Sequence, residues 1–384
     1  MGSKRRICFV TGTRAEFGLM RPVLRAIADD ARLRLQIIAT GMHLDPRHGR
    51  GVEAIEADGW GVDHIVVWPA QSGRRPAVNA RNTGAAMAGF AEAFAKLRSD
   101  IVLLVGDRVE PFAAAGAAHL AHIPIAHVHG GDRAIGQVDD ALRHAITKLA
   151  HIHFPATAGS ARRLVKLGED GWRIRRVGSP GLDGIRQAAA DWGELQRELP
   201  ALVRGRYALV VLHPAGADAG LETQRAGMVA DAVQAVGFDQ IVVVYPNNDP
   251  GSDGIIRQWR RRAADRRYII VPDVRRPVFL GLLRNAAVLA GNSSAGIIEA
   301  ASFGTWVVDI GPRQQGRERS RNVIHKGYEA RAIRAALSKV WNGGAPRRFA
   351  GRNVYGGTGT GRRIANHLAT VALDERLVRK LIAY

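Results

Sequence analysis

Three carboxylates in one stretch of the chain have the chemistry to move protons. Asp107 lies in Gly106-Asp107-Arg108, Asp132 in His127-Val128-His129-Gly130-Gly131-Asp132, and Asp139 in Asp139-Asp140-Ala141-Leu142-Arg143-His144. The apolar run 101–105 ends abruptly at Asp107, the run 123–128 ends in two glycines and Asp132, and Asp139 opens a helix. Acids at the ends of consecutive elements, beside small residues that let a ligand approach, point to a reaction centre rather than a solvated surface. Carboxylates held close together push one pKa upward, so one can serve as an acid beside a base.

Other residues suit the binding of a phosphorylated ligand. The loop Thr11-Gly12-Thr13-Arg14 follows a first strand, and its backbone amides, hydroxyls and Arg14 could meet phosphate. It also reads as a plain strand–helix turn, being neither GxGxxG nor a P-loop. The stretch Gly291-Asn292-Ser293-Ser294-Ala295-Gly296-Ile297-Ile298-Glu299 is a strand, a small polar loop and a helix start. Amides and the hydroxyls of Ser293 and Ser294 there favour a diphosphate, and Glu299, about one and a half turns on, can accept hydrogen bonds from a ribose diol. A capped helix with a surface Glu is the plainer reading. His213 follows the run 207–212, again at a carboxyl end. Asp139 and Arg143 are four residues apart and share a helix face, so Arg143 can orient a carboxylate. His127-x-His129 and His151-x-His153 could each present two imidazoles to one ion, but such pairs in buried strands are commonly packing, and no His–carboxylate spacing matches a metal motif. No metal and no cofactor is expected.

Apolar runs and amphipathic stretches alternate along most of the chain. Strands are expected at 7–11, 33–40, 101–105, 123–128 and 151–155, with helices at 21–29, 86–97, 111–120 and 139–149. The pattern restarts after residue 180, with strands at 207–212, 240–245, 268–271, 287–290 and 306–310 and a helix at 223–236. Such alternation predicts an α/β architecture of parallel sheets covered on both faces by helices. Val177-Gly178-Ser179-Pro180-Gly181 is the best linker. Two Rossmann-like, doubly wound domains facing one cleft are therefore expected: 1–178 with the acids, 179–360 with the nucleotide loop, and a helical segment 361–384 that could pack back on the first. Ligands bind beyond the carboxyl ends of such strands, where the acids fall.

Length and composition set bounds. The 384 residues suffice for two domains, and 46% hydrophobic content is that of a globular chain. No apolar run spans a bilayer, the basic start is followed by too short an apolar run for a signal peptide, and the single Cys8 permits no internal disulfide, so a cytoplasmic protein is expected. The net charge of +20 raises nucleic acid as a partner. The excess is mostly scattered Arg, and its densest cluster, 257–267, accompanies no nucleic-acid motif, so no nucleic-acid partner is expected. A small anionic substrate suits the surplus equally.

Together these residues resemble the UDP-N-acetylglucosamine 2-epimerase family, in its hydrolysing branch, which releases N-acetylmannosamine for sialic-acid-type sugars. The resemblance rests on TGTRAEFGLM (11–20), TGMH (40–43), GDR (106–108), HVHGGD (127–132), DDALRHAITK (139–148), VGSPGLD (177–183), YPNNDPGS (245–252), GNSSAGIIEAASFG (291–304) and IGPRQQGRERSRNVI (310–324). It implies a GT-B fold with the sugar nucleotide between two domains, and a homodimer. By the same resemblance Asp107, Asp132, Asp139 and His213 match active-site positions. Arg14, Ser293, Ser294, Gly296 and Glu299 match nucleotide-binding ones, His43 lies near the sugar, and Arg143 and Arg313 contact ligand. Many relatives carry Glu where this chain has Asp132, one methylene shorter, which could fit a bulkier sugar. The segment 215–220 after His213 also departs from the family pattern. Non-hydrolysing enzymes usually carry Pro-Glu in the first loop, where this chain has Ala15-Glu16.

The implied reaction removes the C2 proton while UDP leaves C1, giving a 2-acetamidoglucal. Water then adds at C1, and a proton returns to the opposite face of C2. Inversion needs proton-transfer groups on both faces. Asp107 and Asp139 are assigned that pair, with Asp132 supporting them or activating water. UDP-N-acetylglucosamine is the first expected substrate and UDP-2,4-diacetamido-2,4,6-trideoxyglucose the alternative. A non-hydrolysing epimerase, a GT-B glycosyltransferase and an inactive basic binding protein rank below these.

Overall fold

The computed structural model describes residues 4–45, 51–68, 76–133, 139–246 and 249–383, with the side chains of Pro76 and Asp139 outside the described set. Contacts divide the chain into two units, Met1–Asp183 with Tyr355–Tyr384, and Gly184–Val354.

In the first unit, strands β1 (Arg5–Thr11), β2 (Leu33–Thr40), β3 (His64–Val66), β4 (Ile101–Val105), β5 (Ile125–Val128) and β6 (Ile152–Phe154) alternate with helices. These are α1 (Arg14–Ala28), α2 (Gly51–Ala57), α3 (Pro76–Leu97), α4 (Val109–Leu120), α5 (Asp139–Leu149) and α6 (Ala158–Lys166). The second unit opens with two short helices, α7 (Ile185–Ala188) and α8 (Trp192–Glu198). Its strands are β7 (Tyr207–Val211), β8 (Gln240–Val244), β9 (Tyr268–Val271), β10 (Val288–Gly291), β11 (Trp306–Ile310) and β12 (Val323–Lys326). Helices α9 (Ala219–Gln234), α10 (Ser252–Arg260), α11 (Arg276–Asn285), α12 (Ser294–Ile298) and α13 (Ala330–Trp341) lie among them. Two last helices, α14 (Thr360–Thr370) and α15 (Glu375–Val378), return to the first unit, where α14 packs on α1.

Both sheets are six-stranded and wholly parallel, in the orders β3-β2-β1-β4-β5-β6 and β12-β11-β10-β7-β8-β9. Counted within each unit these are the same doubly wound order, reversing direction between the first and fourth strands. At that reversal the loops after two neighbouring strands turn to opposite faces and leave a crevice. In the first unit it lies beyond β1 and β4; in the second, beyond β7 and β10.

The central strands are mostly apolar because both faces are covered, β4 (IVLLV) and β7 (YALVV) being buried at every residue. Ile7 and Phe9 pack into one core with Leu24, Ile27 and Leu103, while Cys8 and Val10 pack into another with Phe90, Phe94, Val102 and Leu104. The two-residue period of a strand sorts these neighbours to opposite faces. The second unit has a comparable core, with Val210, Val229, Trp259 and Trp341 among its members.

The sequence reading errs mainly at helix starts and edge strands. Helix α1 begins at Arg14 rather than at 21, because Thr13 and Glu16 form a capping box: the Thr13 hydroxyl accepts from Glu16 N, and Glu16 accepts from Thr13 N. The connection from β1 to α1 is thus only Gly12 and Thr13. The edge strands β3 and β12 are short, three and four residues long. Among the described residues no helix is long and apolar enough to cross a membrane.

Gly291 ends β10 with φ +138°, and a Cβ there would run into the Val211 carbonyl oxygen. No L side chain fits that backbone without a shift in the β7–β10 pairing. Gly291→Ala should therefore lower unfolding stability by about 2–4 kcal/mol, read as a fall in urea midpoint at constant m-value.

Candidate active site

In the first unit, the ends of β4 and β5 and the start of α5 build one polar network. Asp107 follows β4 across Gly106, whose φ of +82° turns the chain. Arg143, on the second turn of α5 and only 5% exposed, donates to Asp107 Oδ2 through Nη2 and to the His129 carbonyl through Nη1 at 3.4 Å. Its Nε lies 3.8 Å from Asp140 Oδ1. The expected helix-face partner of Arg143 was Asp139; that residue opens α5, and its side chain is outside the described set.

Asp132 is buried, with both oxygens taken. Ser160 Oγ donates to Oδ1 at 2.7 Å, and His129 Nδ1 lies 2.8 Å from Oδ2. Burial alone would push this carboxyl up, but His129, Ser160 and the Arg143 charge outweigh it and hold it well below the usual carboxylate range. An ionised carboxylate only accepts, so His129 Nδ1 carries a proton and Nε2, 3.2 Å from Ser179 Oγ, faces a hydroxyl. Asp132 is therefore built to orient His129 and is not a free base.

The acid whose pKa rises is one the sequence reading passed over. Glu16 accepts from Gly12 N at 2.9 Å and Thr13 N at 3.1 Å. Burial, then the neighbouring Glu110 charge, push it up to about 7. Glu110, 4% exposed on the first turn of α4, packs against Gly12 and Gly41, where added Cβ atoms would meet it at 2.8 and 2.6 Å. Two glycines at adjacent strand ends thus make room for one buried carboxylate beside the crevice, and Glu110 standing three residues after Asp107 was its available signal. His43 is buried nearby, with Nε2 3.0 Å from Thr11 Oγ1. Arg14 is exposed at the first position of α1.

The other histidine pairs are committed to protein partners. His127 Nε2 lies 2.8 Å from the Gly106 carbonyl, His151 Nδ1 accepts from Ile125 N, and His153 Nε2 is 2.9 Å from Glu169. Among the described residues no cluster of three or more His, Cys, Asp or Glu could hold a metal ion.

In the second unit Asn292, which the sequence reading did not single out, ties the crevice together. Its Oδ1 accepts from His213 N at 2.7 Å and its Nδ2 donates to the His213 carbonyl at 2.8 Å, clamping the ends of β7 and β10. Its own carbonyl accepts from Gln314 Nε2 at 2.9 Å and from Arg313 Nη1 at 3.5 Å. His213, Ser293 and Arg313 thereby converge around one buried amide. Ser293 caps α12 by accepting from Ala295 N at 3.3 Å. That helix has five residues, so a diphosphate here would depend on hydroxyls and amides rather than on a long helix dipole. Ser294 starts it, and Gly296 lets it lie against Leu289 and Val307, where a Cβ would approach to 3.1 and 2.9 Å. Glu299 closes it, with Oε1 held by Arg276 Nη2 at 2.8 Å and Oε2 buried without a hydrogen-bond partner among the described residues. An unmatched buried carboxylate oxygen suits a hydroxyl-bearing ligand.

Residues 25–369 match the family model described as UDP-N-acetylglucosamine 2-epimerase. The chain belongs to that family. It stands in the hydrolysing branch, as an enzyme acting on a UDP-sugar. A UDP-N,N'-diacetylbacillosamine 2-epimerase (hydrolyzing) from Legionella pneumophila is 38% identical, over 99% of this chain and 100% of its own length. A UDP-N-acetylglucosamine 2-epimerase from Neisseria meningitidis is 33% identical, over 88% of this chain and 87% of its own. The crystal structure of a UDP-GlcNAc 2-epimerase from Neisseria meningitidis bound to UDP-GlcNAc superimposes with a TM-score of 0.79 at 16% identity, covering 94% of this chain and 99% of that one. The fold is accordingly GT-B in type, two Rossmann-like units.

Burial lowers the pKa of several histidines: to about 4 for His43 and His213, and to about 3 for His127 and His151. Unfolding returns each to about 6.5. Between those limits the unfolded chain binds more protons, so stability rises with pH there. Glu16 acts oppositely between about 4.5 and 7, one group against four. Acidification from pH 6.5 to 4 should lower the urea midpoint progressively. A midpoint that holds to pH 4 would contradict the burial of these imidazoles.

Proposed function

We propose that the enzyme converts UDP-2,4-diacetamido-2,4,6-trideoxyglucose (UDP-N,N'-diacetylbacillosamine) and water into UDP and the free 2-epimeric sugar, 2,4-diacetamido-2,4,6-trideoxymannose. The observation that carries this substrate is the end-to-end match to the Legionella pneumophila enzyme of that name, at 38% identity. UDP-N-acetylglucosamine is the second reading, favoured by the 33% identical Neisseria meningitidis relative. Each unit has a defined part. The first supplies proton transfer, the second grips the nucleotide.

Asp107 and Asp139 serve as the proton-transfer pair. One removes the C2 proton as the C1–O bond to UDP breaks, leaving the glucal. Water then adds to C1, and the other returns a proton to the opposite face of C2. Arg143 holds Asp107 in place, and Asp132 fixes the tautomer of His129. Arg14, Ser293 and Ser294 meet the diphosphate and ease its departure, Glu299 receives the ribose diol on its unmatched oxygen, and Arg313 reaches the ligand. Gly296 lines the nucleotide loop, and His43 borders the sugar. His213, kept neutral by burial and the Arg313 charge, acts as a hydrogen-bonding group rather than a cation. A homodimer and a cytoplasmic location belong to this proposal.

The deciding experiment is an NMR time course in deuterium oxide with each UDP-sugar separately. Release of UDP and of the free manno sugar carrying deuterium at C2, faster from the diacetamido substrate, is expected. Faster turnover of UDP-N-acetylglucosamine would install the second reading, and failure of both would remove the assignment. Asp107→Asn should slow C2 exchange by about 10²–10⁴-fold while UDP still binds. Glu299→Ala should instead weaken UDP binding by about tenfold in calorimetry, with C2 exchange at saturating substrate little altered.

A further inference from the structure

The end of the chain is built into the far end of the helix that carries Asp139 and Arg143. Helix α5 stops at Leu149, where Ala150 N donates to the Ile146 and Thr147 carbonyls at 2.8 and 3.2 Å and the carbonyls beyond have no further helical amide to accept from. Lys380 Nζ donates to three carbonyls there: Thr147 at 2.8 Å, Lys148 at 2.8 Å and Ala150 at 2.6 Å. The same ammonium lies 2.7 Å from Oε2 of Glu169, a carboxylate whose side chain is wholly buried. Glu169 also meets Lys148 Nζ and His153 Nε2, each at 2.9 Å.

The tail is held so that Lys380 can reach. Buried Arg173 donates to the carbonyls of Leu377 at 2.8 Å and of Arg376 and Arg379 at 2.9 Å. Leu377 is buried in the first unit's core, and Ala383 N donates to the Gly168 carbonyl at 3.0 Å. A solvated tail needs none of these contacts, since lysine is rarely buried unless paired. A cation at a helix C-terminus also meets the negative end of the dipole.

At the other end of α5, Arg143 reaches Asp107 through a hydrogen bond with little geometric tolerance. We propose that Lys380 is a positioning residue: it fixes α5 along its axis, and through α5 it sets Arg143 and Asp139 relative to Asp107. The proposal rests on the reading that Asp107 and Asp139 transfer the protons.

Its charge gives a signature that mere packing lacks. Burial brings the Lys380 amine down to about 8 against the raising effect of Glu169. The titratable groups around it are Glu169, Lys148 and Arg173, with His153 and His151 also within its field. Deprotonation above that pH weakens the cap, and arginine at the same place would stay charged.

The test compares wild type, Lys380→Met and Lys380→Arg as full-length protein. It reads kcat and KM for the UDP-sugar, the pH dependence of kcat, and hydrogen exchange across α5. Expected for Lys380→Met are faster exchange in the last turn of α5, kcat lower by about tenfold and KM within about twofold. Lys380→Arg should recover most of kcat and carry the alkaline limb above pH 8. Unchanged kcat in a folded Lys380→Met overturns the inference, as does an equal loss in both variants or an unmoved alkaline limb in Lys380→Arg. Should Lys380→Met fail to fold, the arginine variant alone decides by its alkaline limb. A wild-type protein that turns over neither UDP-sugar overturns the proposed function and this inference with it, whereas active wild type beside equally active Lys380→Met overturns the inference alone.

Discussion

A buried guanidinium sets the terms for the first unit. Arg143 is almost wholly withdrawn from water, and an uncompensated buried charge costs about 3–5 kcal/mol. Its acceptors come from two neighbouring strand ends, Asp107 after β4 and the His129 carbonyl after β5. Both loops must bend sharply to deliver them. Gly106 takes φ +82°, and His129 takes +65°, a left-handed conformation that a residue with a Cβ adopts at a cost. That strain sits where the parallel pairing of β4 with β5 brings the two loops side by side. The spacing of acids and glycines between 106 and 132 follows from the need to surround one cation.

Environment then sorts the acids by role. Asp132, with both oxygens engaged and cations near, stays ionised and orients an imidazole. Glu16 is pushed toward neutrality by its own burial and then by the neighbouring Glu110, against the pull of the Gly12 and Thr13 amides. Asp107 has one oxygen on a guanidinium and a side chain 22% exposed, the arrangement of an acid that can meet a substrate. These three acids could not be separated this way by their positions in the sequence. The separation arises from partners such as Ser160 and Ser179, 28 and 47 residues further along the chain than Asp132.

Much of this was legible in the residues because parallel sheets write themselves plainly. The strands at 33–40, 101–105, 268–271 and 306–310 have the bounds that their predominantly apolar runs imply, polar residues such as Arg34, Gln36 and Asp309 falling inside them without displacing their ends. The α5 bounds were legible too, from the acids that open it. Elements with weaker physical signals were not. The start of α1 is set by a reciprocal cap between Thr13 and Glu16 rather than by an apolar stripe, and β3 pairs only along one edge. In the site, charged residues were visible, but amide and glycine positions were not. Asn292 looked like one polar residue in a small loop, whereas its side chain joins the end of β7 to that of β10, strands distant in sequence that become neighbours only in the folded sheet.

The first unit is assembled from both ends of the chain, and this bears on how its site is made. Residues Tyr355–Tyr384 add α14 against α1, Leu377 to the core and Lys380 to the end of α5. These contacts join residues more than two hundred positions apart, so their loop-closure entropy is met late, after the second unit's sequence has been made. Until then the carboxylate of Glu169 and the carbonyls of Thr147 and Ala150 lack a buried cation that the finished fold provides. The helix that carries Arg143 is thus held at its far end by residues that follow the second unit in the chain. Arg173 makes this arrangement specific rather than merely sticky, because its two terminal nitrogens read the carbonyls of Arg376, Leu377 and Arg379 in one register. A tail displaced by one residue would offer that guanidinium the wrong backbone groups and would carry Lys380 away from α5.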